Sequence, residues 1–228
     1  MAREPAGPDR PVRVAVTRPA DQARELAGRI EALGCEAVVW PLIAIEPLGD
    51  APIDTGAYDW VVVTSPNGAS ELARRLIRPP RRIAAIGPGT ADALRQHGLE
   101  PDLVPQVSTQ EGLLAEFAVP AGRVLLAAAE GARQLLVEEL DADFLPLYRT
   151  VELEPAEAPE VDVVLLASPS AAQALARTGA RAAPVVVIGP QTAAAAGELG
   201  LAIAAEAETQ DLDGLVAALE RVVPPSGR

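Results

Sequence analysis

Short runs of apolar residues alternate along the chain with segments in which apolar residues recur every three or four positions. Continuous apolar runs are typical of strands that are covered on both faces of a parallel sheet. We predict strands over Val12–Thr17, Val61–Thr64, Ile83–Ile86, Val124–Leu126, Val163–Leu166 and Val185–Ile188. A helical pattern follows each of them. The alternation predicts an α/β fold with doubly wound parallel sheets.

Two features of the pattern define the ends of elements. Apolar residues recur at helical spacing from Ala23 to Leu33, and Gly34 marks the end of that predicted helix. Two longer strand-like segments, Val38–Leu48 and Phe144–Leu153, each contain a proline. Because proline cannot donate a ladder hydrogen bond, we predict that these segments are edge or connecting strands.

The chain also contains an internal repeat. Asp59–Pro66 returns as Asp162–Pro169 after 103 residues (162 − 59), and Ile86–Ala91 returns as Ile188–Ala193 after 102 (188 − 86). Two weaker pairs match Ser108-Thr109-Gln110 with Glu208-Thr209-Gln210 and Trp40-Pro41-Leu42 with Leu145-Pro146-Leu147. Repetition in conserved order predicts two lobes of like architecture.

Composition excludes several kinds of chemistry. All 19 basic residues are arginine, so the chain has no lysine for a Schiff base, a pyridoxal phosphate anchor or a phosphate-loop site. One histidine and one cysteine cannot form a Cys/His zinc site, and we expect no metal. The formal charge of −13 argues against nucleic acid as a partner.

Several features bear on compartment more than on function. We interpret His97 as a cation at a helix C-terminus, and Cys35 as a buried thiol in a reducing compartment. Met1–Arg10 and residues 224–228 are polar and lack periodicity, and the first of them lacks the apolar core of a signal peptide. The Ala-rich stretch 182–196 is broken by prolines, so we expect no membrane span and a cytoplasmic protein.

The repeated turns have the composition of helix starts. Ser65 and Ser168 each precede a proline, and serine is a good N-cap while proline suits the first helical position. In the second repeated turn a glycine is expected to turn the chain tightly, and Thr90 and Thr192 lie in the first helical turn. Ser108–Glu111 matches a capping box, with Thr209 in the equivalent place of the second copy.

Helix N-termini bind anions because their first N–H groups lack intrahelical partners and carry the positive end of the dipole. In doubly wound sheets, such turns meet beyond the carboxyl ends of the strands. The duplicated turns therefore predict a bipartite cleft for carboxylates or phosphates. The alternative interpretation is that they are ordinary capping residues preserved by duplication.

Six short motifs in fixed order are similar to those of the uroporphyrinogen-III synthase family. They are Thr64-Ser65-Pro66-Asn67, Ile86–Ala91, Thr109–Leu113, Leu147-Tyr148-Arg149-Thr150, Ser168-Pro169-Ser170 and Ile188–Ala193. The resemblance extends from Val12 to about Val222. It implies one lobe from residues 1–38 with 154–228, a second from 49–143, and a two-stranded β linker from 39–48 and 144–153.

The resemblance implies a cofactor-free reaction in tetrapyrrole biosynthesis. Hydroxymethylbilane, a linear tetrapyrrole with an acetate and a propionate on each ring, is cyclised to uroporphyrinogen III with ring D inverted. Because spontaneous closure gives the symmetrical isomer, the enzyme's main task is to orient the chain. We expect a monomer that makes transient contact with the upstream deaminase.

The family's active-site tyrosine matches Tyr148, as a donor to the departing hydroxyl; the alternative role is an aromatic anchor of the linker strand. The positions that match family residues lining the cleft are Ser65, Thr90, Thr109, Ser168 and Thr192. Arg18 is added because it follows a strand, and Arg149 because it neighbours Tyr148; the alternative for both is a surface charge.

One departure from the family concerns Ala127–Ala129, where bacterial relatives often carry a basic residue; Arg133 is a candidate replacement. The same architecture would also suit a non-catalytic protein that binds a tetrapyrrole or a small anion. Turnover of hydroxymethylbilane to the type III isomer would separate the two functions.

Overall fold

The computed structural model describes residues 10–118, 120–154, 157–179 and 183–223. Apart from Arg10, the two ends predicted to lack periodic structure lie outside the described residues. The first ten elements are β1 (Arg13–Val16), α1 (Ala23–Ala32), β2 (Glu36–Val39), β3 (Ile43–Pro47), β4 (Ile53–Asp54), β5 (Trp60–Val63), α2 (Pro66–Arg75), β6 (Leu76–Arg78), β7 (Ile83–Ala85) and α3 (Pro88–Gln96). The next ten are α4 (Gln110–Glu116), β8 (Val124–Ala129), α5 (Leu135–Leu140), β9 (Asp143–Glu152), β10 (Val163–Leu166), α6 (Pro169–Arg177), β11 (Val185–Val187), α7 (Pro190–Glu198), β12 (Ile203–Glu206) and α8 (Leu212–Glu220).

The elements form two compact units, each built on one sheet. Unit 1 comprises Met1–Ala44 with Val151–Arg228, and unit 2 comprises Ile45–Thr150. The sheet of unit 1 has the strand order β12-β11-β10-β1-β2, and all of its neighbours are parallel. Helices cover both of its faces, so the predicted α/β, doubly wound class is confirmed.

Alternate residues of each strand in unit 1 enter two different cores. Val163 and Leu165 pack with α1 and α8, whereas Val164 and Leu166 pack with α6 and α7. Because both faces of the sheet are covered by helices, the strands require apolar residues at every position. This requirement explains the continuous apolar runs of the sequence.

The sheet of unit 2 has the strand order β3-β9-β8-β5-β7. Strands β9, β8, β5 and β7 are parallel to their neighbours. Strand β3 runs opposite to β9, because Leu48 N donates to Leu147 O at 2.8 Å and Leu153 N donates to Leu42 O at 2.9 Å. The chain passes between the units within β3 and again within β9. None of the helices in the described ranges is long and apolar enough to cross a membrane.

The prediction of one strand over Val38–Leu48 is wrong, because this segment belongs to two strands. Strand β2 ends at Val39 and pairs with β1, and β3 begins at Ile43 beside β9. Pro41 lies between them and has no N–H with which to continue a ladder. The sequence pattern also missed the short strands β4, β6 and β12.

Candidate functional site

The turn after β5 has the predicted capped start. Ser65 is the N-cap of α2, and its Oγ accepts a hydrogen bond from Gly68 N at 3.0 Å. In unit 1, Ser168 caps α6 in the same way by accepting from Ala171 N at 3.2 Å. Both serines have φ −163° and ψ 156°, so the repeat preserves the backbone geometry of this turn.

The glycine of the second repeated turn is explained by close packing, not by the tight turn predicted from the sequence. Gly87 and Gly189 have φ of −179° and 166°, which is extended backbone that any residue adopts, so the expected tight turn is wrong. A Cβ at Gly87 would lie 2.5 Å from Ser108 Oγ, and one at Gly189 would lie 2.7 Å from Gln210 Cγ. These glycines are therefore required by the close approach of the loop before the next helix.

Helices α3 and α7 begin without a side-chain cap. The first-turn amides of these two helices are therefore not occupied by a capping side chain, unlike those of α2 and α6. Thr90 and Thr192 stand third in these helices and are only 3% and 2% exposed. What these turns offer an anion is mainly backbone N–H, with the threonine side chains largely covered.

Thr109 caps α4, and its Oγ1 accepts a hydrogen bond from Gly112 N at 3.0 Å. The capping box was therefore predicted one residue too early. In unit 1, the equivalent cap is Asp211, which accepts from Gly214 N at 2.7 Å, and the prediction for Thr209 is wrong. The distance of 102 residues from Thr109 to Asp211 (211 − 109) agrees with the stronger repeats and was the signal to follow.

Tyr148 lies on β9 and is 5% exposed. Its hydroxyl is 2.8 Å from Ser65 Oγ, which is hydrogen-bond distance. Burial raises the pKa of the Tyr148 phenol, and hydrogen bonding of its oxygen, chiefly with Ser65, partly offsets this rise. Tyr148 is therefore a protonated, buried phenol, held at the start of α2.

The register of the sheet places Tyr148 at the carboxyl end of β8. It pairs with Ala129, and its carbonyl accepts a hydrogen bond from Glu130 N at 2.8 Å. Ser65 follows the carboxyl end of the neighbouring strand β5. The two predicted residues are therefore brought together because parallel strands end at the same edge of the sheet.

Arg18 follows β1 at the carboxyl edge of the unit 1 sheet. The preceding Thr17 is fully buried and donates its hydroxyl to Leu165 O at 2.7 Å, which fixes the backbone there. The guanidinium of Arg18 donates to the neutral Gln22 Oε1 at 3.3 Å. Within the described ranges no salt bridge joins it to a carboxylate, and burial lowers its pKa. It is a partly desolvated cation that can receive an anion.

Arg149 and Arg133 differ from Arg18, because each is exposed and forms an ion pair. Arg149 Nη2 lies 2.7 Å from Glu46 Oε2, and Arg133 Nη2 lies 2.5 Å from Glu111 Oε1. Ala127 is fully buried and carries no polar group. Of the arginines considered from the sequence, Arg18 thus has the clearest capacity for a further anion.

Each unit therefore collects a group of predicted residues at one edge of its own sheet. In unit 2, Ser65 contacts Tyr148 directly, and the loop that carries Thr109 packs against the start of α3. In unit 1, Arg18, Ser168 and Thr192 follow β1, β10 and β11, which are adjacent parallel strands. Across the described parts of both units, no group of three or more His, Cys, Asp or Glu side chains could hold a metal ion.

Comparison with known sequences identifies relatives of most of the chain. Residues 24–217 match the family model described as "Uroporphyrinogen-III synthase HemD". A uroporphyrinogen-III synthase from Synechococcus elongatus is 25% identical over an alignment of 248 positions, which covers 91% of this chain and 94% of the relative. A protein of Methanocaldococcus jannaschii, provisionally named a uroporphyrinogen-III synthase, is 30% identical, over 63% of this chain and 64% of its own length.

Solved structures show the same fold. A mutant uroporphyrinogen III synthase from Thermus thermophilus superposes with a TM-score of 0.59 at 20% identity, covering 92% of this chain and 98% of that one. The uroporphyrinogen-III synthetase of Helicobacter pylori gives 0.62 at 15% identity, covering 94% and 100%. At these identities the superpositions establish the fold alone, whereas the family model matches most of the sequence. The chain therefore belongs to the uroporphyrinogen-III synthase family.

Proposed function

We propose that the protein catalyses the cofactor-free cyclisation of hydroxymethylbilane to uroporphyrinogen III and water. The observation that carries this proposal is the match to the family over residues 24–217. The relative from Synechococcus elongatus, which is aligned over 94% of its length, bears the name of this activity.

In the proposed reaction, Tyr148 donates a proton to the departing hydroxyl of the substrate. Water leaves, an azafulvenium cation remains beside the Tyr148 phenolate, and the phenolate recovers its proton when the final ring closure releases one. Ring D then attacks through its substituted carbon to form a spiro intermediate, and fragmentation followed by reclosure gives the inverted ring. The role of Tyr148 is supported by its raised pKa, which keeps the phenol protonated at neutral pH, as a proton donor requires.

Most of the catalytic effect is orientation of the bilane, for which carboxylate contacts are needed. We assign these contacts to Arg18, Ser168 and Thr192 of unit 1 and to Ser65, Thr90 and Thr109 of unit 2. Arg18 is supported by its partial burial without an ion-pair partner in the described chain. The helices that carry Thr90 and Thr192 are supported by their uncapped first turns.

We further propose that the protein acts as a cytoplasmic monomer and receives its substrate through transient contact with the upstream deaminase. The single buried cysteine, Cys35, supports a reducing compartment. Sedimentation of the protein alone and with the deaminase would test the oligomeric state and the contact. A stable dimer of the protein alone would contradict the monomer.

The product isomer decides whether the protein is an enzyme. Freshly generated hydroxymethylbilane is supplied to the protein, and the oxidised products are separated by isomer. We expect turnover to the type III isomer above a protein-free control. Tight binding with only the spontaneous type I product would overturn the enzymatic proposal and favour the non-catalytic binding protein.

A further inference from the structure

The loops that precede α4 and α8 each place a polar side chain over the start of another helix. A Cβ at Gly87, the N-cap of α3, would lie 2.5 Å from Ser108 Oγ. In unit 1, a Cβ at Gly189, the N-cap of α7, would lie 2.7 Å from Gln210 Cγ. Both pairs are 21 positions apart (108 − 87 and 210 − 189), so the repeat preserves this arrangement.

Neither of these two side chains caps the helix that follows it. The sequence predicted a cap at Ser108, but the cap of α4 is Thr109. In unit 1, Gln210 directly precedes Asp211, which caps α8. Both side chains are half-buried, and within the described ranges neither Ser108 Oγ nor the Gln210 amide has a hydrogen-bond partner. Two polar groups are therefore available beside two helix starts.

The helix starts below them each contain an unpartnered hydroxyl. Helices α3 and α7 have nine residues each and no side-chain cap. Their third residues, Thr90 and Thr192, are almost fully buried, and neither hydroxyl has a hydrogen-bond partner in the described chain. The side-chain polar atoms that are both enclosed and unpartnered there belong to Trp40, Trp60 and Gln110, so the two threonine oxygens still reach solvent. Open hydroxyls beside free first-turn amides point to a ligand that accepts hydrogen bonds.

Acidic residues of the two loops do not occupy these helix starts. The loop 104–109 of unit 2 contains no acidic residue. In unit 1, Asp211 Oδ1 accepts from Gly214 N at 2.7 Å, and Glu208 Oε1 lies 3.7 Å from Arg221 Nη1. An anion at either helix start therefore meets hydrogen-bond donors, and the carboxylates of the adjoining loop are engaged elsewhere.

We propose that Ser108 and Gln210 are substrate-binding residues, which donate hydrogen bonds to carboxylates of the bilane at the starts of α3 and α7. The inference rests on the proposed function, which supplies the polycarboxylate. A serine hydroxyl donates one hydrogen and a glutamine amide donates two, and a hydrogen bond from either group to a carboxylate is charge-assisted. Each unit then holds a carboxylate with first-turn amides, a threonine hydroxyl and the side chain of the overlying loop.

Three substitutions test these contacts. Ser108→Ala and Gln210→Ala each remove one donor, and Gln210→Glu replaces the amide by a carboxylate of the same shape. KM and kcat are measured with hydroxymethylbilane, and Kd is measured for uroporphyrinogen III by calorimetry under nitrogen. Gln106→Ala is the matched control, because Gln106 is an exposed residue of the loop that carries Ser108.

We expect each alanine variant to raise KM and Kd about tenfold with little change in kcat, because the contact binds substrate and transition state alike. Gln210→Glu should raise both constants further, since two carboxylates then repel each other. The double alanine variant should raise Kd about 100-fold, because the two residues belong to separate units and share no partner. Urea midpoints should stay close to that of the parent, and the control should match the parent in every assay.

The outcomes separate this inference from the proposed function. If the parent forms the type III isomer and a variant changes neither KM nor Kd, the role of that residue is overturned. Binding by Gln210→Glu that equals or exceeds that of Gln210→Ala would also overturn a carboxylate as the partner of Gln210. If Kd rises in the variants but the parent forms no type III isomer, the contacts are supported and the proposed enzymatic function fails.

Discussion

Replacement of Arg18 by leucine should weaken substrate binding without destabilising the protein. The hydrogen-bond partner of its guanidinium is the neutral Gln22 Oε1, at 3.3 Å. Burial lowers the pKa of Arg18, because its charge loses hydration and the charges of Glu25 and Asp21, neither of which forms a salt bridge with it in the described chain, compensate only in part. Such a cation destabilises the free protein through its lost hydration and stabilises the complex with an anion.

The magnitude follows from the kinds of interaction that leucine removes. A hydrogen bond to a charged group contributes about 1.5–3 kcal/mol, which corresponds to an increase in Kd of roughly 10- to 150-fold. In the free protein, loss of the bond to Gln22 costs about 1 kcal/mol, and removal of a poorly hydrated charge offsets it. We therefore expect the free energy of unfolding to stay within about 1 kcal/mol of that of the parent.

Arg95→Leu is the matched control. Arg95 is exposed and pairs with Asp92 and Glu100, each at 3.0 Å, and surface pairs of this kind contribute about 0–1 kcal/mol. The assays are steady-state kinetics with hydroxymethylbilane and urea unfolding of each variant. An unchanged KM for Arg18→Leu, or a loss of several kcal/mol in its stability, would refute the reasoning.

Three further predictions follow from other parts of the structure. Tyr148→Phe should lower kcat about 100-fold or more while product binding stays nearly intact, and unchanged turnover would remove its role. Gly112→Ala should lower the free energy of unfolding, measured in urea, by about 1–3 kcal/mol, because the new Cβ would overlap the Val107 carbonyl. The control Gly28→Ala, whose Cβ would have nothing within 4 Å, should raise it by about 0.5–1 kcal/mol. Equal effects of the two substitutions would contradict this explanation. The chain has a net charge of −13, so added salt should screen its repulsion of the polyanionic substrate and speed association. Association rates that decrease with added salt in stopped-flow measurements would show attraction instead.

The interior strands could be predicted from the sequence because both of their faces are buried. Val163–Leu166 is predicted and observed with the same bounds, since helices cover both faces of that strand. The pattern failed at Val38–Leu48, where strand partners change from one sheet to another. Hydropathy reports how deeply a residue is buried, but it contains no information on which strand lies beside it.

In the candidate site, too, features set by residues close in sequence could be predicted, and features set by residues far apart in sequence could not. Caps by Ser65 and Ser168 were predictable, because an N-cap is decided within four residues. The burial of Arg18 and the pairing of Arg149 with Glu46 were not predictable, because each depends on residues brought near by folding. The contact of Ser65 with Tyr148 spans 83 positions (148 − 65) and left no signal in either motif alone.

The duplication itself helps to separate folding residues from chemical ones. Strands β10, β1 and β2 have the same neighbour order in unit 1 as β5, β8 and β9 in unit 2. Strand β1 corresponds to β8, and β1 is followed by Arg18, whereas β8 ends in alanines. Strand β2 corresponds to β9, and β9 carries Tyr148, whereas β2 ends at Val39. Because one scaffold folds with either set, neither the arginine nor the tyrosine is needed to build it. Selection for folding would have left the two copies alike at these places, so their difference is best explained by separate duties, a cation for the carboxylates and a proton donor for the leaving hydroxyl.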